Sequence, residues 1–303
     1  MQRQHDLSGG SWTWLVYFAA ALSIVGCDSS STGGSGNGNL SVLLEAEETI
    51  VDGLQDGEGE ENIRDGFDVN FSRYVVAIGM VAMGQLDGAN PQSDPLVVVA
   101  DFKSLPTTSP ELTAFTGIPT GQYTSFGFET PAPDDTASNF NEVPEADYDA
   151  MIANDWSYII EGTITRVSDD ASKNFLIQAD VPTVYRDCAV DGMEPGVSVS
   201  SNSSVDITLH GDHLFFNGFP DEEASVQRLA QWLWDIEDSN GNEVLDKPDF
   251  QAATNVEELF PQPTYTLGGG PISPIENAWD FVRAQLGTQG HIFGEGECLW
   301  SSL

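Results

Sequence analysis

The chain has 303 residues and a formal net charge of −38, from 48 acidic against 10 basic residues. A field of that sign repels phosphate backbones and anionic headgroups, which excludes nucleic acid as a partner and favours cations, calcium above all. A hydrophobic fraction of 40% with 10% aromatic residues is ample for a packed core, so the acidity does not signal disorder and reads either as attraction of cations or as a solvated coat.

The first apolar run, Leu15 to Gly26, is too short to cross a ~30 Å hydrocarbon core as a helix and has the length of a signal-peptide h-region. It closes on Ile24-Val25-Gly26-Cys27, small residues before a cysteine, which resembles a bacterial lipobox. On that reading residues 1–26 are a lipoprotein signal peptide. The thiol of Cys27 is acylated and becomes the new N-terminus, so the membrane is a partner through the N-terminal lipid. The n-region offers only Arg3 against Asp6, and the two cancel, so the mature chain keeps the whole charge. Residues 27–39 then form a tether: Asp28 to Gly38 is Ser- and Gly-rich without an apolar side chain. The expected location is the bacterial cell envelope, lipid-anchored.

From residue 40 to 218 the pattern is short β-rich runs broken by Gly, Pro, Asp and Asn. They cover Leu40 to Ala46, Phe67 to Ala82, Leu96 to Phe102, Tyr123 to Phe128, Trp156 to Ile164, Phe175 to Tyr185 and Val197 to Leu209. Val205, Ile207 and Leu209 alternate with Asp206, Thr208 and His210, which predicts one face inward and the other toward solvent. One helical interruption is predicted at Pro144 to Ala153. Many strands with few helices between them predict a mainly β fold, an antiparallel β-sandwich.

Residues 219–303 are predicted to form a C-terminal helical annex packed on the sandwich. Asp221 to Glu237 places Val226, Leu229, Ala230, Leu233 and Ile236 on one helical face, with three acidic residues in the first turn. Pro274 to Leu286 does the same with Ile275, Ala278, Trp279, Val282 and Leu286; Ser273 with Glu276 reads as its capping box and Gly287 as its stop.

Between these helices lies Asp238-Ser-Asn240-Gly-Asn242-Glu243-Val244-Leu245-Asp246-Lys-Pro-Asp249, which resembles an EF-hand calcium loop. Asp238, Asn240, Asn242, the Val244 carbonyl, Asp246 and Asp249 fall on the ligand positions, since alternate oxygens wrap one hard cation. Glu243 stands where glycine normally makes the sharp turn, and Asp249 is shorter than the usual closing glutamate.

With His5 in the signal, three histidines remain: His210, His213 and His291. On a regular strand His210 and His213 face opposite sides, so a shared copper or zinc ion requires Gly211-Asp212 to bend the chain and His291 to fold back beside Cys298. The competing reading is three separate turn histidines. Of three cysteines, Cys27 is assigned to lipid, which leaves Cys188 and Cys298 to pair outside the cytoplasm, joining sandwich to annex, or to serve as soft metal ligands. Asp56-Gly-Glu58-Gly-Glu60-Glu61 with Asp65 is a further acidic loop, solvated or calcium-binding. Trp232, Trp234 and Trp300 offer either core packing or a sugar-stacking surface, the latter fitting a calcium-stabilised adhesion or glycan-binding module. No Gly-x-Ser-x-Gly, His-Glu-x-x-His, P-loop, Cys-x-x-Cys or dinucleotide signature occurs, so a non-enzymatic role is expected.

Five stretches also carry a family resemblance: Phe71-Ser-Arg73-Tyr74-Val75-Val76, Gly117-Ile-Pro119-x-Gly121-x-Tyr123, His210-Gly-Asp-His213-Leu-Phe-Phe216, the Asp238 loop, and His291-Ile-Phe-Gly294-Glu-Gly296-Glu-Cys298. Together they resemble a group of uncharacterised envelope lipoproteins of myxobacteria and related bacteria. The Phe-Ser-Arg strand, the Gly-x-Pro-x-Gly-x-Tyr turn and Trp156-x-Tyr158 are similar, more distantly, to MbnP-like copper-binding sandwich domains. That similarity implies copper at the histidines, although the chain lacks several histidines those domains carry.

Overall fold

Strand outweighs helix from Asn37 onward in the computed structural model, which describes residues 36–190, 192–219 and 226–303. The expected signal peptide, Cys27, most of the expected tether and Asp221 to Ala224 lie outside the described residues. The strands are β1 (Asn37–Ala46), β2 (Phe67–Gly84), β3 (Gln92–Asp101), β4 (Glu111–Pro119), β5 (Gly121–Tyr123), β6 (Ser125–Thr130), β7 (Ser138–Asn139) and β8 (Tyr158–Arg166). They continue with β9 (Ala171–Ala179), β10 (Thr183–Ala189), β11 (Val197–Val199), β12 (Ser203–Leu209), β13 (Val244–Leu245), β14 (Gly290–Ile292) and β15 (Gly296–Ser302). The helices are α1 (Glu48–Val51), α2 (Glu145–Asn154), α3 (Gln231–Asp235), α4 (Lys247–Ala252), α5 (Val256–Leu259) and α6 (Ala278–Leu286). Among the described residues no helix is long and apolar enough to cross a membrane.

The fold is mainly β, built on a 13-stranded sheet in the order β13-β9-β8-β2-β6-β10-β15-β14-β12-β1-β4, with β3 beside β2 and β7 beside β3. The long β2 is its spine. One edge pairs with β8 along its first half and β6 along its second, while β3 runs along the other edge. The register shifts around Met80, whose φ of 53° is left-handed, and such a bulge bends a strand between two sets of neighbours. Not every pairing is antiparallel: β1 lies parallel to β12 and β13 parallel to β9.

Period-two alternation decides what β2 buries. Tyr74, Val76 and Ile78 enter the main core, whereas Val75 and Ala77 face a second, smaller cluster with Val99, Ile159 and Met151 of α2. Burying a side chain of this size fully contributes roughly 1.5–3 kcal/mol. Proline and a polar turn split two predicted runs. Phe175 to Tyr185 becomes β9 and β10 with Pro182 between them, and Val197 to Leu209 becomes β11 and β12 across Ser200 to Asn202. β4 falls outside the predicted runs, because its apolar residues are interleaved with threonine and glycine.

The C-terminal third departs from an all-helical annex. Of the segment Asp221 to Glu237 only Gln231–Asp235 is helical among the described residues. α6 starts after Asn277, whose side chain accepts from the Asp280 N–H at 3.0 Å, so Asn277 rather than Ser273 is the cap. After α6 the chain re-enters the sheet as β14 and β15. The Cys188–Cys298 disulfide therefore forms, but between neighbouring strands β10 and β15 of one sheet and not between a sandwich and a helical annex.

Candidate metal centre

Three histidines reach one place, two through the local course of the chain after β12 and the third through the return of β14 to the sheet. Along β12, Val205, Ile207 and Leu209 point into the core as their alternation requires. The opposite phase, Thr208 and His210, is buried too, because the β14–β15 connection covers it. Thr208 Oγ1 donates to the Gly294 carbonyl at 3.1 Å, and His210 Nε2 lies 2.8 Å from the same oxygen. Directly after β12 the chain turns through a 3₁₀ helix, Gly211–Phe215. Gly211 is needed there because a Cβ would stand 2.8 Å from Ile50 Cγ1. That turn swings His213 back toward His210.

β14 supplies the third ring. His291 pairs with Thr208 across the ladder, which places it diagonally beside His210 on the same face. The strand can lie this close because Gly290 packs flat on the Tyr185 ring, where a Cβ would meet the ring at 2.6 Å. Ring centroids are 4.0 Å apart for His210 and His291, 5.4 Å for His210 and His213, and 5.0 Å for His213 and His291. All three side chains are buried, and one ligand nitrogen from each lies within 4.8 Å of the others.

Outer contacts select which nitrogens keep lone pairs. A carbonyl only accepts, so in neutral His210 the contact to Gly294 puts the proton on Nε2 and the lone pair on Nδ1. His213 Nδ1 lies 3.0 Å from Thr288 Oγ1, whose own hydroxyl donates to the Gln285 carbonyl at 2.8 Å. Thr288 must therefore accept from His213 Nδ1–H, and Nε2 carries the lone pair. His291 Nδ1 is buried without a hydrogen-bond partner. Burial, and then the neighbouring His210 and His213, hold the His291 imidazole well below its ordinary pKa, which favours the neutral ring.

Acidic groups surround the His210 side. Asp212 is buried, with Oδ2 accepting from Arg228 Nε at 2.8 Å and Oδ1 making no hydrogen bond. Arg228 stacks over the Phe216 ring at 4.7 Å, tying the turn to segment 226–230. Glu47 places Oε1 3.3 Å from His210 Nδ1 while Oε2 accepts from the Thr49 hydroxyl at 2.6 Å. Burial pushes the Glu47 carboxyl up to about 7, His210 opposing and Asp212 assisting. On the other side, a cavity of about 70 Å³ lined by Phe216, Phe219, Cys298 and Trp300 adjoins His213 and His291.

The Asp238 segment is folded as a closed loop between α3 and α4. Asp238 Oδ1 accepts from the Gly241 N–H at 2.7 Å, Asn240 Oδ1 from the Asn242 N–H at 3.0 Å, and Asn242 Oδ1 from the Val244 N–H at 2.9 Å. The amides of Asn240 and Asn242 donate to the two oxygens of Asp246, at 3.0 and 2.9 Å. Val244 is held in β13, and Glu243 takes a left-handed φ of 67° at the position where glycine was expected. Asp249 turns to other work: it accepts from the Ser239 N–H at 2.7 Å and, through Oδ2, from the Asp246 N–H at 3.1 Å as the capping box of α4. Asp238, Asp246 and Asp249 are not among the described groups of three whose ligand atoms lie within 4.8 Å.

Three carboxylates of the other acidic segment have partners within the protein. Asp56 accepts from Gly66, Asp65 from Ala230 and Gln231, and Glu58 pairs with Arg64. Trp232 is buried, and Trp234 packs against Phe67 with Arg166 over its face, so these two rings serve the core rather than a sugar surface.

Sequence reasoning missed Glu47 and Glu295, which with His210 form a second close group. In a chain with 48 acidic residues nothing sets them apart until the fold places them. No family model, curated protein or solved structure matches this chain.

Proposed function

We propose that this protein holds a transition-metal ion, copper or zinc, between His210, His213 and His291, and that it does so as a lipid-anchored, non-enzymatic component of the bacterial cell envelope. The observation that carries the reading is the convergence of three buried imidazoles with outer partners that leave ligand nitrogens unprotonated. His291 Nδ1, buried and without a hydrogen bond, is otherwise costly by about 1–3 kcal/mol, and a metal accounts for it. The Cys188–Cys298 bridge supports an oxidising compartment outside the cytoplasm. On this reading the mostly antiparallel sheet folds as a sandwich, its two layers joined through the bulged β2, and α3 to α6 form an annex against it. Anchoring rests on the lipobox-like Cys27. The resemblance to myxobacterial envelope lipoproteins and MbnP-like domains belongs with the same proposal.

A second metal, calcium, is proposed at the Asp238 loop. The left-handed Glu243 supports it, since that residue supplies the turn for which the EF-hand pattern normally needs glycine.

Titration of chelator-stripped protein with Zn²⁺ and Cu²⁺ tests the main reading. Wild type should bind one equivalent that His213→Ala loses; indistinguishable isotherms would overturn it.

A further inference from the structure

We propose that the cleft between α6 and the last strand, β15, binds a hydroxylated monocarboxylate of single-ring size, a sugar acid, with Arg283 as the anchor for its carboxylate and Trp300 as the platform for its ring. Binding there does not depend on a metal at the histidines.

Arg283 is set apart by what it does not touch. Among the other arginines whose structure is described, Arg64 pairs with Glu58, Arg73 with Asp147, Arg166 with Asp169 and Arg228 with Asp212, while Arg186 donates to Ser301 Oγ at 3.0 Å. The Arg283 side chain makes no hydrogen bond or ion pair with any described residue, in a chain where acidic residues outnumber basic ones 48 to 10. It is half-buried on α6 and lines a cleft of about 260 Å³. A guanidinium is a planar fork of donors that matches a carboxylate through two parallel bonds, and the rigid helix holds its stem in place.

The rest of the cleft decides what carries that carboxylate. Trp300, half-buried and opposite Tyr185 in the β10–β15 ladder, gives the cleft an aromatic wall, which Pro182, Pro271 and Ile272 extend. Among these stand the polar side chains of Asp180, Thr183, Ser301 and Ser302. An apolar wall with a few placed polar groups suits a ligand that has one apolar face and several hydroxyls, as a sugar ring does. The volume lies below the range of about 300–1,000 Å³ for drug-sized ligands, so one ring fills it. Charge narrows the class further. One guanidinium offsets one negative charge, whereas the net charge of −38, with Asp180 in the same wall, repels a second. A monocarboxylate is therefore favoured over a phosphate dianion.

The test is isothermal titration of chelator-stripped full-length protein with sodium glucuronate, glucose and sodium benzoate, comparing wild type, Arg283→Gln, Arg283→Lys and Trp300→Leu, each checked for an unchanged circular dichroism spectrum. Wild type should bind one equivalent of glucuronate, about tenfold or more tightly than glucose, as one charge-assisted pair provides. Arg283→Gln should lose that preference, Arg283→Lys should keep part of it, and Trp300→Leu should weaken both sugars alike. Wild type that binds no glucuronate would overturn the site, and equal glucuronate affinity in Arg283→Gln would overturn the anchor. Benzoate bound as tightly as glucuronate would overturn the assignment to a sugar acid. Should Trp300→Leu not fold, the two variants of the half-exposed Arg283 decide the outcome.

Discussion

Thr288 Oγ1 accepts from His213 Nδ1 at 3.0 Å and donates to the Gln285 carbonyl at 2.8 Å, so one hydroxyl fixes the tautomer of a buried ring. Removing that hydroxyl leaves the ring free to rotate and to move its proton to the ligating nitrogen. Thr288→Val keeps the shape and loses the acceptor. Zinc affinity should fall about ten- to hundredfold, the cost of losing an outer-shell partner, with the fold intact. Isothermal titration checks this, and affinity equal to wild type would remove Thr288 from the centre.

The Cys188–Cys298 bridge closes a loop with a sequence separation of 110 residues. By the chain-entropy model such a loop contributes about 5 kcal/mol at most, and native proteins often realise less. Denaturant unfolding with and without reductant should show a loss of several kcal/mol on reduction. Thiol titration of the unfolded, unreduced protein should detect neither cysteine.

In the metal-free protein, Glu47 and His291 act on stability in opposite directions over overlapping pH ranges. The folded Glu47 carboxyl titrates near about 7 against an ordinary 4.5, mainly through burial. A group raised in this way lends stability that is complete below the unfolded value and is lost as pH rises through the folded one, here between pH 4.5 and 7. His291 is lowered, again mainly by burial, so below its ordinary 6.5 the unfolded chain binds a proton that the fold refuses, and stability drops with pH. Glu47→Gln mimics the neutral carboxyl and removes only the first effect. With chelator present, the melting temperature of the variant relative to wild type should rise from pH 5 to pH 8, by at most about 3 kcal/mol in stability. A pH-independent difference would contradict the assignment.

For the Asp238 loop, calcium bound to the fold alone stabilises by about 2.7 kcal/mol at a hundredfold excess over Kd. Millimolar calcium should raise the melting temperature of wild type, and Asp238→Ala should abolish that rise. A calcium response of the same size in the variant would move the site elsewhere.

Strands with apolar alternation, such as β12 and β2, are legible in the sequence because burial on a sheet face follows period two. The bend at Gly211-Asp212 is legible for a similar local reason. What the sequence could not show is long-range: His291 reaches His210 only because β14 returns to the sheet beside β12, after a stretch whose period reads as helix. Glu47 is invisible for another reason, standing among neighbouring glutamates until β1 delivers it to His210 Nδ1. The overlong helix expected from Asp221 shows the opposite error, since apolar spacing at Val226 to Ala230 also suits an extended segment that pairs Arg228 with Ile63 and Phe216.

X-ray absorption at the metal edge tests the central claim most directly. Protein stripped with chelator, loaded with one equivalent of Zn²⁺ and cleared of free ion should show a four-coordinate shell of nitrogen and oxygen at about 2.0–2.2 Å, with the multiple scattering of three imidazoles. A shell of oxygen alone, or one unchanged in His291→Phe, would contradict a metal centre at His210, His213 and His291.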